Sequence, residues 1–339
     1  MLLFSALTAA TVFALSVWMT SLMRDYALRR GVSDIPNERS LHSVPTPRGG
    51  GLAIAVTFFT ATAVLAWEQL IPSNLAWALI GGGGLVSWIG WRDDRYHVAI
   101  QWRLLVHVAA AAWALFWLGG VEILGDRSLP AAFTWLGWAV AVLGIVWATN
   151  LYNFMDGSDG LAGAQALCAA SAAGFLLCLN GAFGVALTTF SLAAASAGFL
   201  VWNWPRARIF MGDVGSGLLG FIFAVLALGT EQSGDLPLTL WLLLLAVFIL
   251  DTGYTLAARI LRGEKWYAAH RSHTYQRLIQ AGYSHRQVLL GLIGVNVMVL
   301  WPLTMLGWSR PVLLPIILLT VAVGGWVVWR WVWQHYPAS

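Results

Sequence analysis

The sequence predicts an all-α integral membrane protein with about eleven transmembrane helices, because its composition, segment lengths and charge placement agree. Of its 339 residues, 59% are hydrophobic and only 10% are charged, and the mean hydropathy is +0.73. A soluble domain has roughly a quarter of its residues charged. We therefore expect a single membrane domain over residues 1–339 that contacts the lipid bilayer, and no nucleic-acid partner.

Apolar stretches of sufficient length to cross a bilayer, about 17 to 25 residues, recur along the whole chain. Pro72-Ser73-Asn74 separates two of them, because this tripeptide favours a turn. Several of the 21 Trp lie near the ends of these stretches, as expected at the headgroup region. The predicted spans are 2–22, 51–70, 74–91, 104–120, 131–150, 161–179, 182–202, 215–230, 236–258, 288–307 and 311–333.

The placement of basic residues predicts the orientation of these spans. Of 19 Lys and Arg, all but Arg127, Arg310 and Arg330 lie in or beside the loops that follow every second span, starting with the first. By the positive-inside rule these loops are cytoplasmic, with the N-terminus outside and the C-terminus inside. No basic residue precedes the first apolar stretch, so we expect a retained helix rather than a signal peptide.

The first cytoplasmic loop combines proline with glycine. Pro45-Thr46-Pro47-Arg48 is followed by three glycines, so a stiff basic segment leads into a backbone that another group can approach closely. A rigid connector is the alternative interpretation. Asp93-Asp94 follows the third span, and two adjacent carboxylates ionise together only beside a cation, a metal or water. This pair indicates a metal-associated site or a general base, and a solvated helix end is the alternative.

The third and fourth cytoplasmic loops contain further acidic residues. Asn153, Asp156 and Asp159 recur at intervals of three, which clusters them at the end of a helix where unpartnered polar groups are costly. This favours chemistry over the alternative that Asp159 caps the next helix. Asp213 precedes Gly215-Ser216 at a helix start, where a carboxylate can hold Mg²⁺ and free N–H groups can bind phosphate. A second helix cap is the alternative.

The last cytoplasmic loop contains His270, Arg271 and His273. The spacing of the two histidines does not match a zinc-binding pattern. The adjacent arginine favours binding of phosphate oxygens, and a solvated basic face is the alternative. Asp251 lies inside the ninth span and is a functional candidate, with pairing to Arg259 as the alternative.

Taken in order, these loops resemble the polyprenyl-phosphate N-acetylhexosamine-1-phosphate transferases, in particular those that initiate O-antigen synthesis. The final loop departs from the His-x-His-His form of the peptidoglycan branch, and His97 stands where relatives often have lysine. The motifs that carry the resemblance are Pro36-Asn37, Arg39-Ser40, His42, Pro45 to Gly50, Asp93-Asp94, Asn153 to Ala162, Phe210 to Asp213, Gly215-Ser216 and Asp251-Thr252.

The resemblance implies transfer of HexNAc-1-phosphate (GlcNAc, FucNAc or QuiNAc) from a UDP-sugar to undecaprenyl phosphate at the inner membrane, releasing UMP. It implies Mg²⁺, with Mn²⁺ as a substitute, and a homodimer as one assembly. Asp213 would be the metal ligand, and the predicted catalytic residues are Asp93, Asp94, Asp156 and Asp159. The predicted substrate-binding residues are Thr46, Arg48, Asn153, His270, Arg271 and His273.

Two other classes of protein are weighed against this hypothesis. A transporter would place ionisable groups near the bilayer midplane, often in paired broken helices, whereas these acids gather at one face. Another Mg²⁺-dependent membrane transferase, such as an aromatic prenyltransferase or a CDP-alcohol phosphotransferase, accounts for neither the Pro/Gly loop nor the His270–His273 segment.

Overall fold

The computed structural model describes residues 2–36, 41, 44–120, 131–265 and 270–336. Within these ranges the chain forms α-helices and one small β-ribbon. The ribbon pairs β1 (Ser33–Asp34) with β2 (Thr46–Pro47) in antiparallel register. The helices are α1 (Leu2–Arg30), α2 (Gly51–Trp67), α3 (Ser73–Trp77), α4 (Gly83–Tyr96), α5 (Ile100–Leu118), α6 (Ala131–Phe154), α7 (Leu161–Leu179), α8 (Phe183–Asn203), α9 (Asp213–Ser233), α10 (Leu238–Leu244), α11 (Ala246–Leu261), α12 (Thr274–Gln280), α13 (His285–Val295), α14 (Trp301–Ser309) and α15 (Leu314–His335). The shorter turns are π-helical at Ala78–Gly82 and Asn296–Leu300, and 3₁₀ at Pro311–Leu313.

The predicted all-α membrane fold is confirmed, but the predicted number of spans is not. Among the described residues, eight helices are long and apolar enough to cross a bilayer. A ninth span forms if α10 and α11 are taken together, although these two helices meet at an angle of 80°. The second predicted span is the 17-residue helix α2, and the third is a composite of α3, a π-helical turn and α4. Each of the eleven predicted spans has a helical counterpart, and their number stays a prediction, because two of them are a 17-residue helix and a composite helix.

The centre of the molecule is built from α7, α8 and α9. In these three spans 72% to 83% of the most apolar window is buried, against 17% in α1 and 6% in α15. Helix α7 packs along α8, and both are rich in alanine and glycine, which lets helix backbones approach closely within a membrane. The polar loops at one end of these helices are thus held by the most buried part of the fold.

The start of α9 is pressed against the start of α2. A β-carbon on Gly51 would lie 2.3 Å from the Cα of Gly215, so neither position has room for a side chain. The backbone N–H of Gly50 donates to the carbonyl of Phe210 at 2.9 Å, and the N–H of Gly51 donates to Met211 at 2.9 Å. The glycines of the first loop therefore allow the backbone contact that carries Arg48 to the N-terminus of α9.

A buried amide pair holds the bend between α10 and α11. Asn296 donates from Nδ2 to Oε1 of Gln165 at 2.8 Å, and Gln165 donates from Nε2 to the carbonyl of Leu244 at 2.9 Å. Leu244 is the last residue of α10, so its carbonyl is one that the broken helix leaves without an intrahelical partner. Both amide side chains are fully buried, and their hydrogen bonds therefore fix three elements at the break.

Asn296→Leu should lower the free energy of unfolding by about 1–2 kcal/mol, because it leaves the buried amide of Gln165 without its partner. The double variant Gln165→Leu/Asn296→Leu should cost less than the sum of the two single variants, because both single substitutions break the same hydrogen bond between the amides. Thermal unfolding in detergent measures both effects. If the loss of stability in the double variant equals the sum of the losses in the two single variants, the amides do not act as a pair.

Candidate active site

One guanidinium joins two acidic residues that are far apart in sequence. The Nε of Arg48 lies 2.8 Å from Oδ1 of Asp94, and its Nη2 lies 2.6 Å from Oδ1 of Asp213. Burial disfavours the charge of Arg48, yet the nearby carboxylates of Asp94 and Asp213 raise its pKa overall. The Pro/Gly loop, the end of α4 and the start of α9 thus meet through this side chain.

The carboxylate of Asp94 is fully buried and caps α9. Its Oδ1 accepts from the backbone N–H of Asp213 at 2.9 Å, and its Oδ2 accepts from Val214 at 3.3 Å. These N–H groups are among those that a helix start leaves unpaired. Gly212 precedes them with φ +75°, and a β-carbon there would meet the Asp94 carboxylate. The environment of Asp94 favours a positioning role, and its predicted part in catalysis stays a prediction.

A second guanidinium, from Arg103 on α5, completes the cluster. It hydrogen-bonds Oδ2 of Asp93 and lies 3.3 Å from Oδ2 of Asp213. Asp93 also accepts from the N–H of Val98 at 2.7 Å. Arg103 did not emerge as a site residue from the sequence. The Asp93-Asp94 pair could have indicated it, because two adjacent carboxylates require a nearby cation. Arg103 is such a cation and lies just beyond the short turn that joins α4 to α5.

The cluster has one more negative than positive group, so a cation can bind beside it. Asp93, Asp94 and Asp213 supply three carboxylates against the two guanidiniums of Arg48 and Arg103. No group of three or more His, Cys, Asp or Glu with a metal-binding arrangement occurs in the described ranges. Mg²⁺ needs only one or two protein carboxylates when substrate phosphates supply the other ligands. The donor set is therefore compatible with Mg²⁺ bound together with a substrate.

A polar cavity of about 290 Å³ opens beside the cluster. Asn153 and Asp156 line it together with Asp213. Burial raises the pKa of Asp156 well above its usual range, and Arg48 opposes that rise. The carboxyl of Asp156 has no hydrogen-bond partner in the part of the chain that is described, so it is open to a ligand in the cavity. The lining comprises Asp34, Leu41, Arg48, Asn153, Asp156, Gly157, Ser158, Asp159, Asn203, Phe210, Met211, Gly212, Asp213, Gln276 and His285.

Asp159 and Asn203 hold two loops of the cavity together. The Oδ2 of Asp159 accepts from the backbone N–H of Ala207 at 3.0 Å. Asn203 accepts from the N–H of Gly160 at 2.9 Å and donates to the carbonyl of Ile209 at 2.8 Å. The N-cap of α7 is Gly160, so the alternative in which Asp159 caps this helix is wrong.

The predicted phosphate clamp of the last loop does not line this cavity. His273 is buried and stacks between Phe154 and Tyr275, with ring centroids 6.4 and 6.1 Å away. Burial lowers the pKa of both His270 and His273 to about 4, so both imidazoles are neutral at pH 7. Arg271 also lies outside the cavity lining. The structure therefore does not bring His270, Arg271 and His273 together with the carboxylates, and their substrate contacts stay predictions.

Asp251 caps α12, the short helix that begins directly after His273. It accepts from the backbone N–H of Thr274 at 3.0 Å and from the hydroxyl of Thr274 at 2.8 Å. Arg259 instead pairs with Glu264 at 2.9 Å, so the predicted alternative of an Asp251–Arg259 pair is wrong. Asp251 thereby fixes where α12 begins and places Gln276 at the cavity.

Thr46 has a structural place in the first loop. It is buried in β2, and its hydroxyl donates to the carbonyl of Val44 at 3.0 Å rather than lining the cavity. Its predicted substrate contact stays a prediction. Four other residues of the resemblance lie outside the described residues, namely Asn37, Arg39, Ser40 and His42.

Comparison with known proteins identifies the family. A family model described as glycosyl transferase family 4 matches residues 76–231, which contain Asp93, Asp94, Asn153, Asp156 and Asp213. A decaprenyl-phosphate N-acetylglucosaminephosphotransferase of Mycolicibacterium smegmatis is 31% identical over 84% of this chain and 78% of its own length. The chain belongs to glycosyl transferase family 4. The resemblance that the loop motifs indicated is thereby confirmed.

Other glycosyl transferase family 4 relatives agree in type. A probable undecaprenyl-phosphate N-acetylglucosaminyl 1-phosphate transferase of Bacillus subtilis is 29% identical over 80% of this chain and 76% of its own. An undecaprenyl-phosphate alpha-N-acetylglucosaminyl 1-phosphate transferase of Yersinia pestis is 28% identical over 84% and 82%. The protein is a membrane transferase, and the transporter alternative loses its support.

Arg48→Lys should lower both thermal stability and activity, because an ammonium group cannot replace the two directed contacts of the guanidinium. Adding Asp94→Asn should restore part of the melting temperature, since a neutral amide needs no buried cation. Melting in detergent measures the effect, and Arg30→Lys at an exposed position is the matched control. A melting temperature equal to that of Arg30→Lys would show that Arg48 does not hold the cluster together.

Acidification should destabilise the fold through His273. Its folded pKa of about 4 lies below the usual 6.5, so the unfolded chain takes up the proton first as the pH falls from about 6.5 towards 4. The loss at pH 5 reaches at most about 2 kcal/mol. We expect His273→Gln to reduce the drop in melting temperature between pH 7.5 and pH 5, and the exposed His335→Gln to leave that drop as it is. Equal drops in all three proteins would contradict this.

Proposed function

We propose that this membrane transferase moves HexNAc-1-phosphate from a UDP-HexNAc to undecaprenyl phosphate. The observation that carries the proposal is the convergence of Arg48, Arg103 and three aspartates beside a polar cavity at one end of a membrane bundle. The family relatives support it, because their names specify polyprenyl-phosphate acceptors and N-acetylglucosaminyl phosphate transfer.

The reaction exchanges one phosphorus–oxygen bond for another. An oxygen of the acceptor phosphate attacks the phosphorus that bears the sugar, and the bond from that phosphorus to the oxygen of the α-phosphate breaks. UMP leaves with the electron pair, and a sugar pyrophosphoryl lipid remains. The second pKa of a phosphate monoester is near 6, so the acceptor is already a dianion at pH 7. The proposed reaction therefore needs no strong base from the protein.

The main barrier is the approach of an anion to an anion, which positive charge must offset. Arg48 and Arg103 supply that charge and are themselves held by carboxylates, so their direction is set before substrate binds. Asn153 and the open carboxyl of Asp156 line the adjacent cavity, where they contact the donor in this proposal.

Asp213 and its neighbours Asp93, which shares Arg103 with it, and Asn153, which lines the same cavity, are the residues that would hold Mg²⁺. When bound, the ion would neutralise the pyrophosphate and the departing UMP. The guanidiniums of Arg48 and Arg103 now contact both oxygens of Asp213, so they would share this carboxylate with the metal. Mn²⁺ has the same preference for carboxylate oxygen and is the natural substitute.

The placement of the site supports a cytoplasmic reaction at the cell inner membrane. The C-terminal ends of α4, α6 and α8 meet the N-terminal ends of α2, α5 and α9 there, so the polar groups share one end of the bundle. That end also carries the basic loops, which are predicted to be cytoplasmic. The names of the relatives make UDP-GlcNAc the first donor to test, ahead of the FucNAc and QuiNAc analogues. O-antigen initiation is the pathway proposed from the loop motifs.

Asp213→Asn should reduce UMP release by about 100-fold or more, because it removes the proposed metal ligand and one partner of both arginines. The assay uses purified protein, UDP-GlcNAc, Mg²⁺ and undecaprenyl phosphate, and release must depend on the lipid. Asp235→Asn, in the loop after the other end of α9, is the matched control and should retain full activity. The melting temperature checks folding.

Two results would contradict the proposal. Folded wild-type protein that releases no UMP from any UDP-HexNAc in the presence of the lipid lacks the proposed activity. Turnover by Asp213→Asn within threefold of wild type would remove Asp213 from the metal site while leaving the reaction itself standing.

A further inference from the structure

His285 occupies a defined position on the cavity wall. It is the first residue of α13, and the preceding Ser284 caps that helix by accepting from the N–H of Gln287 at 3.3 Å. In the structure it lines the cavity together with Asp156 and Asp213, and its side chain is 22% exposed. Its surroundings therefore belong to the site rather than to the bundle surface.

The contacts of the ring assign its tautomer. The backbone N–H of Asp159 lies 3.2 Å from Nδ1 of His285, and the hydroxyl of Ser158 lies 3.0 Å from the same nitrogen. A backbone N–H can only donate, so Nδ1 accepts and the ring hydrogen resides on Nε2. The imidazole is thus anchored through one nitrogen and presents an N–H group through the other.

The Nε2 of His285 has no hydrogen-bond partner within the described ranges, and the residue lines the polar cavity of about 290 Å³. An N–H donor held in a fixed direction beside a substrate cavity is suited to a ligand acceptor. The anchoring by Asp159 and Ser158 limits rotation of the ring, so the donor is oriented before a ligand arrives.

The charge around His285 selects the kind of acceptor. Oδ1 of Asp159 lies 3.8 Å from Nδ1 of His285, and Asp156 lines the same cavity. A phosphate would be repelled beside the carboxylate of Asp159, whereas Arg48 offers it a cation elsewhere on the wall. The acceptor that fits His285 is therefore an uncharged oxygen.

We propose that His285 is a donor-binding residue whose Nε2–H donates a hydrogen bond to a carbonyl oxygen of the UDP-HexNAc. This inference rests on the proposed function, since the substrate supplies the carbonyl. Two parts of that molecule carry one: the uracil ring and the N-acetyl group of the sugar. The contact positions the donor so that its pyrophosphate meets Arg48.

A pair of amide substitutions separates binding from anchoring. In His285→Asn the amide oxygen can replace Nδ1 as acceptor for Asp159 and Ser158, but the distal donor is lost. In His285→Gln the amide nitrogen can replace Nε2, but the anchor is lost. We expect His285→Asn to raise KM for UDP-GlcNAc about 5- to 15-fold, the effect of one neutral hydrogen bond, with kcat within about twofold. His285→Gln should retain more of the affinity, and His335→Asn at an exposed site should match wild type.

Inhibition by UMP distinguishes the two carbonyls. If His285 contacts uracil, the inhibition constant for UMP rises in His285→Asn by the same factor as KM. If it contacts the N-acetyl group, KM rises and the inhibition constant for UMP stays at the wild-type value. Both results support the proposed donor contact and assign it to one end of the substrate.

The proposal is overturned if folded His285→Asn has the wild-type KM, or if both amide variants lower kcat equally without changing KM. The second pattern would mean that His285 only supports the Ser158–Asp159 turn. Wild-type protein is assayed first in each series. Its inactivity would count against the proposed function, whereas an active wild type with a normal His285→Asn counts against this inference alone.

Discussion

The site depends on one buried arrangement, in which the guanidinium of Arg48 lies between the carboxylates of Asp94 and Asp213 at the start of α9. Arg48 contacts Asp94 and Asp213, and Asp94 in turn accepts the first N–H groups of α9. Burial of a charge is costly unless it is paired and hydrogen-bonded, and here each charge has both. Removing any member leaves another buried group unsatisfied, so the arrangement fixes three elements together.

The two walls of the cavity beside this cluster are built from different kinds of element. The most buried helices, α7, α8 and α9, hold one wall of the cavity, and their small residues allow close packing. The other wall comes from shorter elements, such as α12 and α13, whose starts are set by caps at Asp251 and Ser284. The cavity therefore lies between a fixed face and a face made of helix ends and loops.

Much of this could be predicted from sequence because the physical signals were local. Hydropathy gave the helices, and the order of acidic and Pro/Gly motifs indicated the family and brought Arg48, Asn153, Asp156 and Asp213 to one site. The rest depended on contacts between distant segments. Arg103 and His285 are unremarkable in sequence, and only packing places them beside Asp93 and Asp159. The burial of His273 against Phe154 likewise depends on packing that the sequence does not show, and its predicted phosphate contact stays a prediction. The 80° bend between α10 and α11 likewise lies inside one predicted span and depends on the distant Gln165–Asn296 pair.

The distance in sequence between the partners of Arg48 has a consequence for biosynthesis. Arg48 and Asp213 are 165 residues apart, and the backbone contact between Gly51 and Met211 spans nearly the whole region between them. While the chain is inserted into the membrane segment by segment, this arginine stays without Asp213 until α8 has been threaded. The earlier helices can assemble first, and the reactive centre closes late. A nascent chain therefore passes through a stage in which it is embedded in the lipid but has no complete active site.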